Sequence, residues 1–383
     1  MEENVGYINQ EVRKMYGIPY NKLTAEQKRI LHADSVRRAK LISRVEKDTM
    51  DNGATAFKDE AEMEKILADL YSGCMDRIIS AIVKVMAKVK KSGGTWSYAN
   101  MSELTRQRGL FEQIAKILKE LTGEEKTLVY DYLSHIYTDQ FMREIYSLGQ
   151  YMPVNANFNR LNPALVKQTV EYPWSGSMFS DRLWLDKERL LQSLRTNLTQ
   201  SMILGESIVE VTERMQKALD TSRYNAERVV RTETKRVSYI AHVEAFKENG
   251  VKQVKYRCAN GGDERTCKTC KADDGKIYEL GKEPTLPRHP NCRCVYAPVV
   301  EDTFKPNELN ELTGSIRGAE NYNKWVEHYK EILNPDGSLP DGWRTEWGKA
   351  VKDKYGVPVK TLYTTADGKK LTLEEYRQQF GKK

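Results

Sequence analysis

The chain lacks any long apolar run. Its longest, Ile78-Ile79-Ser80-Ala81-Ile82-Val83, is closed off by Lys84 and Lys88, well short of the ~20 residues that span a bilayer. No apolar core follows the acidic start Met1-Glu2-Glu3-Asn4, so no signal peptide is expected and structural disulfides are disfavoured. With 39% hydrophobic and 30% charged residues, the 383-residue chain is expected to be soluble, without a membrane span, and to form two or three folded domains. Histidine is scarce at five residues, and no internal repeat is visible. No nucleophile paired with a base stands out, so no catalytic residue is assigned and the chain is not read as an enzyme.

Cysteine is also scarce, but it is not scattered. Four of six cysteines and one of five histidines fall within Cys267–Cys294. The C-x-x-C of Cys267 and Cys270 lets two thiolates converge on one point. His289 and Cys292 repeat that spacing, and Cys292 and Cys294, two apart on an extended segment, project to one face. Five donors therefore compete for the four places around a structural zinc ion. The preferred set is Cys267, Cys270, His289 and Cys292, with Cys294 as the main substitute. A redox pair and two disulfides are the alternatives. The redox reading is disfavoured because the motif lies between a charged turn and the turn Asp273-Asp274-Gly275. Catalytic zinc keeps an open place for water, whereas this cluster has protein donors to spare. Asp263 and Glu264 read as solvated charges of a turn.

The order of features around the cluster is specific. Arg231-Thr232-Glu233-Thr234 is followed by a helix ending near Gly250, the segment Val251 to Tyr256, Asp263-Glu264-Arg265-Thr266-Cys267 with Cys270, Asp274-Gly275-Lys276-Ile277-Tyr278, Pro287-Arg288-His289-Pro290-Asn291-Cys292-Arg293-Cys294, and Ala297-Pro298. Over roughly residues 200 to 300 this string resembles the C-terminal signature of phage head-morphogenesis proteins, the minor capsid proteins similar to the Mu F protein. The resemblance implies a virion protein present in few copies inside the capsid at the portal vertex, and in the host cytoplasm during assembly. Its implied partners are the portal protein, other capsid or scaffold proteins, and double-stranded DNA bound without sequence preference. It also implies that the C-terminal extension must be searched for a toxin or enzyme domain. A zinc-bearing nucleic-acid-processing enzyme or effector, active in that extension, is the alternative reading, and a host-DNA-binding zinc ribbon a third.

The expected fold is mainly α, with a small zinc-stabilised α+β module. Residues 1–150 read as helical, with a capping-box spacing at Thr24-Ala25-Glu26-Gln27, helical repeats at Leu104, Leu110, Ile114 and Leu118, and breaks at 88–94 and 151–157. Residues 151–220 read as a helical docking region in which Trp174, Phe179 and Trp184 plug a core, with a turn at Gly205-Glu206-Ser207-Ile208. Residues 221–300 carry a helix capped at Ser222 or Asn225, stopped by Gly250, then short strands at Val251–Tyr256, Ile277-Tyr278 and Val295-Tyr296. On that helix Arg231 and Glu233 either face solvent or brace the module, and Glu233 is spaced to pair with Arg236. Residues 301–383 form an extension with a turn at Asn334-Pro335-Asp336-Gly337, Trp343, Trp347 and His328, read as a tail that docks on the portal or capsid.

Charge gives a modest pointer. The chain carries 61 basic and 54 acidic residues, net +7. Residues 251–300 hold ten Lys or Arg against six Asp or Glu, an excess of four. Lys268, Lys271, Arg288 and Arg293 are the expected phosphate contacts.

Overall fold

A computed structural model describes residues 22–300, apart from 102–103, 150, 152–160, 162 and 260–261, and beyond them Tyr322, 363–364 and 370–371. Among the described residues six helices precede the sheet: α1 (Ala25–Lys91), α2 (Tyr98–Met101), α3 (Leu104–Leu148), α4 (Pro163–Val170), α5 (Phe179–Leu204) and α6 (Ile208–Glu248). Strands β1 (Gln253–Arg257), β2 (Ile277–Glu279) and β3 (Val295–Pro298) follow, with the short helix α7 (Lys268–Asp273) between the first two. A separate pair, β4 (Tyr363–Thr364) and β5 (Lys370–Leu371), lies near the C-terminus. The fold is mainly helical, with a small antiparallel sheet of order β2-β1-β3.

Local signals set the helix ends. Thr24 caps α1 reciprocally: Gln27 N donates to Thr24 Oγ1 at 3.2 Å, and Thr24 N to Gln27 Oε1 at 2.8 Å. The helix stops at Ser92, where Gly93 takes φ 76°, and Lys88, Lys90 and Lys91 crowd its last turn, favourably placed for the dipole. Gly205 ends α5 in the left-handed conformation, and Ser207 opens α6 with a capping box to Glu210. The helix expected to start at Ser222 or Asn225 therefore begins fifteen or more residues earlier and runs unbroken through both. Their polar side chains turn sideways instead: Asn225 Nδ2 donates to Asp186 Oδ1 at 2.7 Å, and Ser222 Oγ also bonds Asp186. Asn249 and Gly250 end α6 as expected.

Four long helices share one apolar core. Met63, Leu67, Ile78 and Ile82 of α1 pack with Leu110, Ile114, Leu133 and Phe141 of α3, Leu190, Leu194 and Leu198 of α5, and Val230, Val237 and Ala241 of α6. Of the three aromatics expected in a core, only Phe179 is buried. Trp174 is half-buried, where its indole reaches Glu233, and Trp184 is 51% exposed.

Residues 232–238 of α6 are buried on every side, because α1, α3, α4 and α5 surround this stretch. Glu233 and Arg236 are thus not solvated as one expectation had it. They pair at 2.6 Å, as their spacing predicted. Glu233 also accepts from Trp174 Nε1 at 2.8 Å and pairs with Arg182. Arg236 donates to the carbonyls of Thr169 and Val170 at 2.8 and 3.0 Å, satisfying the C-terminal end of α4. Glu233 therefore fastens α4 and α5 to α6 and not, as the alternative expectation had it, the cysteine module.

A second core lies at one end of α6. Leu148, Phe246, Val251, Val254, Tyr256, Leu286 and Tyr296 pack with Cys258, Cys270, Cys292 and Cys294. Strand β3 lies against the middle of α1, where Gly53 leaves room: a Cβ there would stand 3.0 Å from Val295 Cγ1. Charge fixes the same contact. Lys255 meets Glu46 at 2.6 Å, and Arg293 lies 4.7 Å over the Phe57 ring and 3.5 Å from Glu60.

Tyr322 is buried in the helical body. Its hydroxyl donates to Asp139 Oδ1 at 3.0 Å, Arg143 covers its ring at 4.3 Å, and Tyr146 meets it edge-on at 5.7 Å. The turn at 334–337, Trp343, Trp347 and His328, and the break at 152–157, lie outside the described residues.

Candidate metal centre

Three short segments bring the donors together. Asp263 opens the first: its Oδ1 accepts from Arg265 N at 3.1 Å, and its carbonyl accepts from Thr266 N at 3.0 Å, turning the chain into α7. Arg265 also pairs with Asp263 at 2.7 Å in an exposed turn, in keeping with the reading of Asp263 as a turn charge. Cys267 is the N-cap of α7, and Cys270 N points at its sulfur at 3.4 Å. The C-x-x-C thus opens a helix after all, although one of six residues.

The second segment is the knuckle His289–Cys292. Cys292 N donates to His289 O at 3.2 Å, and Asn291 takes φ 63°, a conformation Asn tolerates better than most residues. The third is the run into β3, which places Cys292 and Cys294, both buried, beneath α7.

The donors form two overlapping sets. Ligand atoms of Cys267, Cys270 and His289 lie within 4.8 Å of one another, and so do those of Cys270, Cys292 and Cys294. Cys270 belongs to both. All five expected donors are brought together, but the preferred four are divided between the two sets. His289 Nε2 faces Cys267 and Cys270 at 3.4 Å each. Its Nδ1 lies 2.9 Å from Pro290 O. A proton on Nδ1 leaves the Nε2 lone pair for an ion, the arrangement metal-binding histidines use.

Two neighbours suit a cation bound to thiolates. Tyr256 is fully buried, with its hydroxyl facing the sulfurs of Cys270 and Cys294. Thiolates there would accept from it more strongly than thiols. Without a cation the thiols resist ionisation: a hydrogen bond with Cys294, then burial, pushes Cys292 well up, and burial raises Cys270. Lys235 of α6, fully buried, feels the charge of Cys292 and Cys294, and burial draws its ammonium down to about 8.

Cys258 was absent from the expected donor set. It follows β1, is fully buried, and donates from Sγ to Cys270 O at 3.0 Å. Asp274 Oδ1 accepts from its backbone N at 2.8 Å. No C-x-x-C spacing marks it; the available signal was that five of six cysteines fall between 258 and 294.

The remaining expected residues separate. Lys268, Lys271 and Arg293 are exposed. Arg288 is tied to Asp273 and lies 5.1 Å from the Tyr256 ring centre, which makes it a wall of the module. Arg231 pairs with Glu64 at 2.5 Å and Glu227 at 3.5 Å, and approaches Glu60 at 3.8 Å, the carboxylate that Arg293 of the module also reaches.

Fold and site together define a bundle of long helices carrying a compact cysteine-histidine module on the last of them. Residues 192–297, which comprise the end of α5, all of α6 and the module, match the family described as Phage Mu protein F like protein. The chain is 24% identical over 292 residues to the Minor head protein GP7 of Bacillus phage SPP1, covering 70% of this chain and 93% of that protein. It is 22% identical over 265 residues to the NAD(+)--arginine ADP-ribosyltransferase EFV of Enterococcus faecalis (strain ATCC 700802 / V583), covering 64% of this chain and 53% of that protein. The chain thus spans about half the length of the latter relative. No solved structure matches significantly. These two matches, over residues 192–297 and over most of GP7, support a phage minor head protein family. No helix among the described residues is long and apolar enough to cross a membrane.

Proposed function

We propose that this chain is a minor head protein of the phage virion, seated inside the capsid at the portal vertex, with a structural zinc ion in its cysteine-histidine module. The observation that carries the reading is the alignment over 93% of a minor head protein, together with a family match that includes the module to within β3. Cys267, Cys270 and His289 would hold the ion, with Cys292 or Cys294 as the fourth donor. The ion would close a module whose own apolar core is small. The portal protein and other capsid or scaffold proteins are the partners, met in the host cytoplasm during assembly. Lys268 and Lys271 offer exposed charge to DNA phosphates, whereas Arg288 is engaged by Asp273 and Arg293 by Glu60 and the Phe57 ring.

Pull-down of the full chain with the portal protein of the same phage, beside elemental analysis, tests this. Retention on the portal and at least one zinc per chain are expected; loss of portal binding overturns the assembly role. A second reading rests on the ADP-ribosyltransferase relative: an effector whose activity lies in residues 301–383. Transfer of label from NAD(+) to arginine by the full chain would favour it over the assembly role.

A further inference from the structure

A denser positive charge than the module's lies at the opposite end of the bundle. Residues 77–111 hold seven Lys or Arg against one acidic residue, Glu103, whereas residues 251–300 hold ten against six. The stretch comprises the last turns of α1, the connection through α2 and the first turns of α3. Trp96, in that connection, donates to Ser201 Oγ at 3.2 Å, so α5 ends and α6 begins at this same end. The module meets α6 only at its other terminus.

Helix packing sorts these charges onto one line. α1 and α3 lie side by side, and the ion pair of Arg77 with Glu120 marks the seam between them. Lys84, Lys88 and Lys91 follow Arg77 at spacings that keep them within about 40° of it around a helix of 3.6 residues per turn. On α3, Lys116 lies one turn from Glu120 on the same face. All four lysines are exposed. No described carboxylate pairs with Lys84, Lys88 or Lys91, and Lys116 feels Glu120, which Arg77 already holds. Other exposed lysines of the helices do find a carboxylate one turn away, as Lys47 does at Asp51, Lys65 at Glu62 and Lys247 at Glu244. Like charges three and four residues apart on a helix repel, so the row carries a repulsion that the chain itself leaves unrelieved. A bound polyanion would relieve it.

We infer that this lysine row is a contact surface for the phosphate backbone of duplex DNA. The inference rests on the DNA partnership proposed above and places its main contact on the α1–α3 seam. Lys84 and Lys88 stand about 6 Å apart along the axis, and Lys91 about 4.5 Å further on. Ammoniums on flexible stems act as point charges that hold phosphates without reading bases. Gln113 and Gly109 continue the α3 side of the seam, both exposed, with open space where a Cβ would stand at Gly109. The exposed apolar pair of this end, Ile203 and Leu204, belongs to α5, which packs on α3 and α6 across the bundle from α1. The seam thus offers charge and polar surface, which suits a phosphate backbone better than an apolar protein segment.

The test is fluorescence anisotropy of a labelled duplex of about 30 bp titrated with the full chain at salt from about 50 to 200 mM. The triple variant Lys84→Gln, Lys88→Gln, Lys91→Gln should bind about tenfold or more weakly at roughly 0.1 M salt, equally for two unrelated sequences. Its slope of log affinity against log salt should be shallower by about three, and that of Lys116→Gln by about one. Lys268→Gln with Lys271→Gln should change the slope less than the triple variant does. A triple variant that keeps the wild-type slope overturns the inference and leaves DNA binding by the chain standing; a wild-type chain that binds no duplex overturns both. Loss of portal retention by the triple variant with duplex binding intact makes the row a protein interface and likewise overturns the inference. Lys116→Gln probes the same seam from the other helix, so misfolding of the triple variant cannot shield the claim.

Discussion

Glu233 shows how much one buried carboxylate can hold. It joins Trp174, Arg182 and Arg236, and removing it leaves Arg236 uncompensated beside the α4 carbonyls. Glu233→Ala should cost about 3–5 kcal/mol in urea unfolding, the usual penalty for breaking a buried pair. At Glu144 the consequence is a pH dependence. Burial lifts its carboxyl to about 7, although Asn52 and Thr49 donate to it. A carboxyl that keeps its proton longer in the folded state favours folding below its ordinary range and loses that contribution as pH rises to 7. His242, 3.9 Å away and kept neutral down to about 3 by burial, has the opposite slope between 3 and its ordinary 6.5. Glu144→Gln should therefore gain stability over the wild type between about pH 5 and pH 8, by roughly 1–3 kcal/mol. Thermal melts at both pH values would show it; parallel shifts at the two would contradict it.

Among the elements, the module and the helices have separate apolar cores and should come apart separately. Cys267→Ser and Cys292→Ser should release metal and open residues 250–300 to protease while the helical circular dichroism stays within about a tenth of the wild type. Unchanged metal content in both variants would remove them as ligands. Gly53 tests the seam, since a side chain there meets Val295. Gly53→Val should weaken the docking of β3 by about 1–3 kcal/mol through overpacking, visible as faster amide exchange in β3 but not in α6.

This separation also explains what the sequence reveals. Caps, stops and strands were legible because they depend on a few neighbouring residues: the Thr24–Gln27 box, Gly250 and the three strands fall where their local pattern puts them. The convergence of Cys267, Cys270, His289, Cys292 and Cys294 was legible through spacing. Burial of Glu233 and Arg236 was not, because it is decided by three other helices and α4, none of which their own segment records. Neither was Cys258, which reaches the cluster only through the hairpin register that sets Tyr256 N against Lys276 O at 2.8 Å. The early start of α6 was missed for a related reason: Ser222 and Asn225 are good caps in isolation, and only other helices, Asp186 of α5 for both and Tyr71 of α1 for Ser222, give them another partner.

For the molecule as a whole, the module meets α1 and the ends of α3 and α6 through its own small core, so removal of the proposed ion should act in a graded way. Excess phenanthroline should first raise amide exchange in β1 to β3 and only later, if at all, lower the melting temperature of the helices. Simultaneous loss of both would mean that the ion stabilises the entire chain. Tyr322 adds a geometric consequence. The chain leaves the sheet at β3 yet returns to the helices, where Asp139, Arg143 and Tyr146 grip this one ring. At Tyr322 the chain is thus berthed on the flank of α3 and not on the cysteine-histidine module.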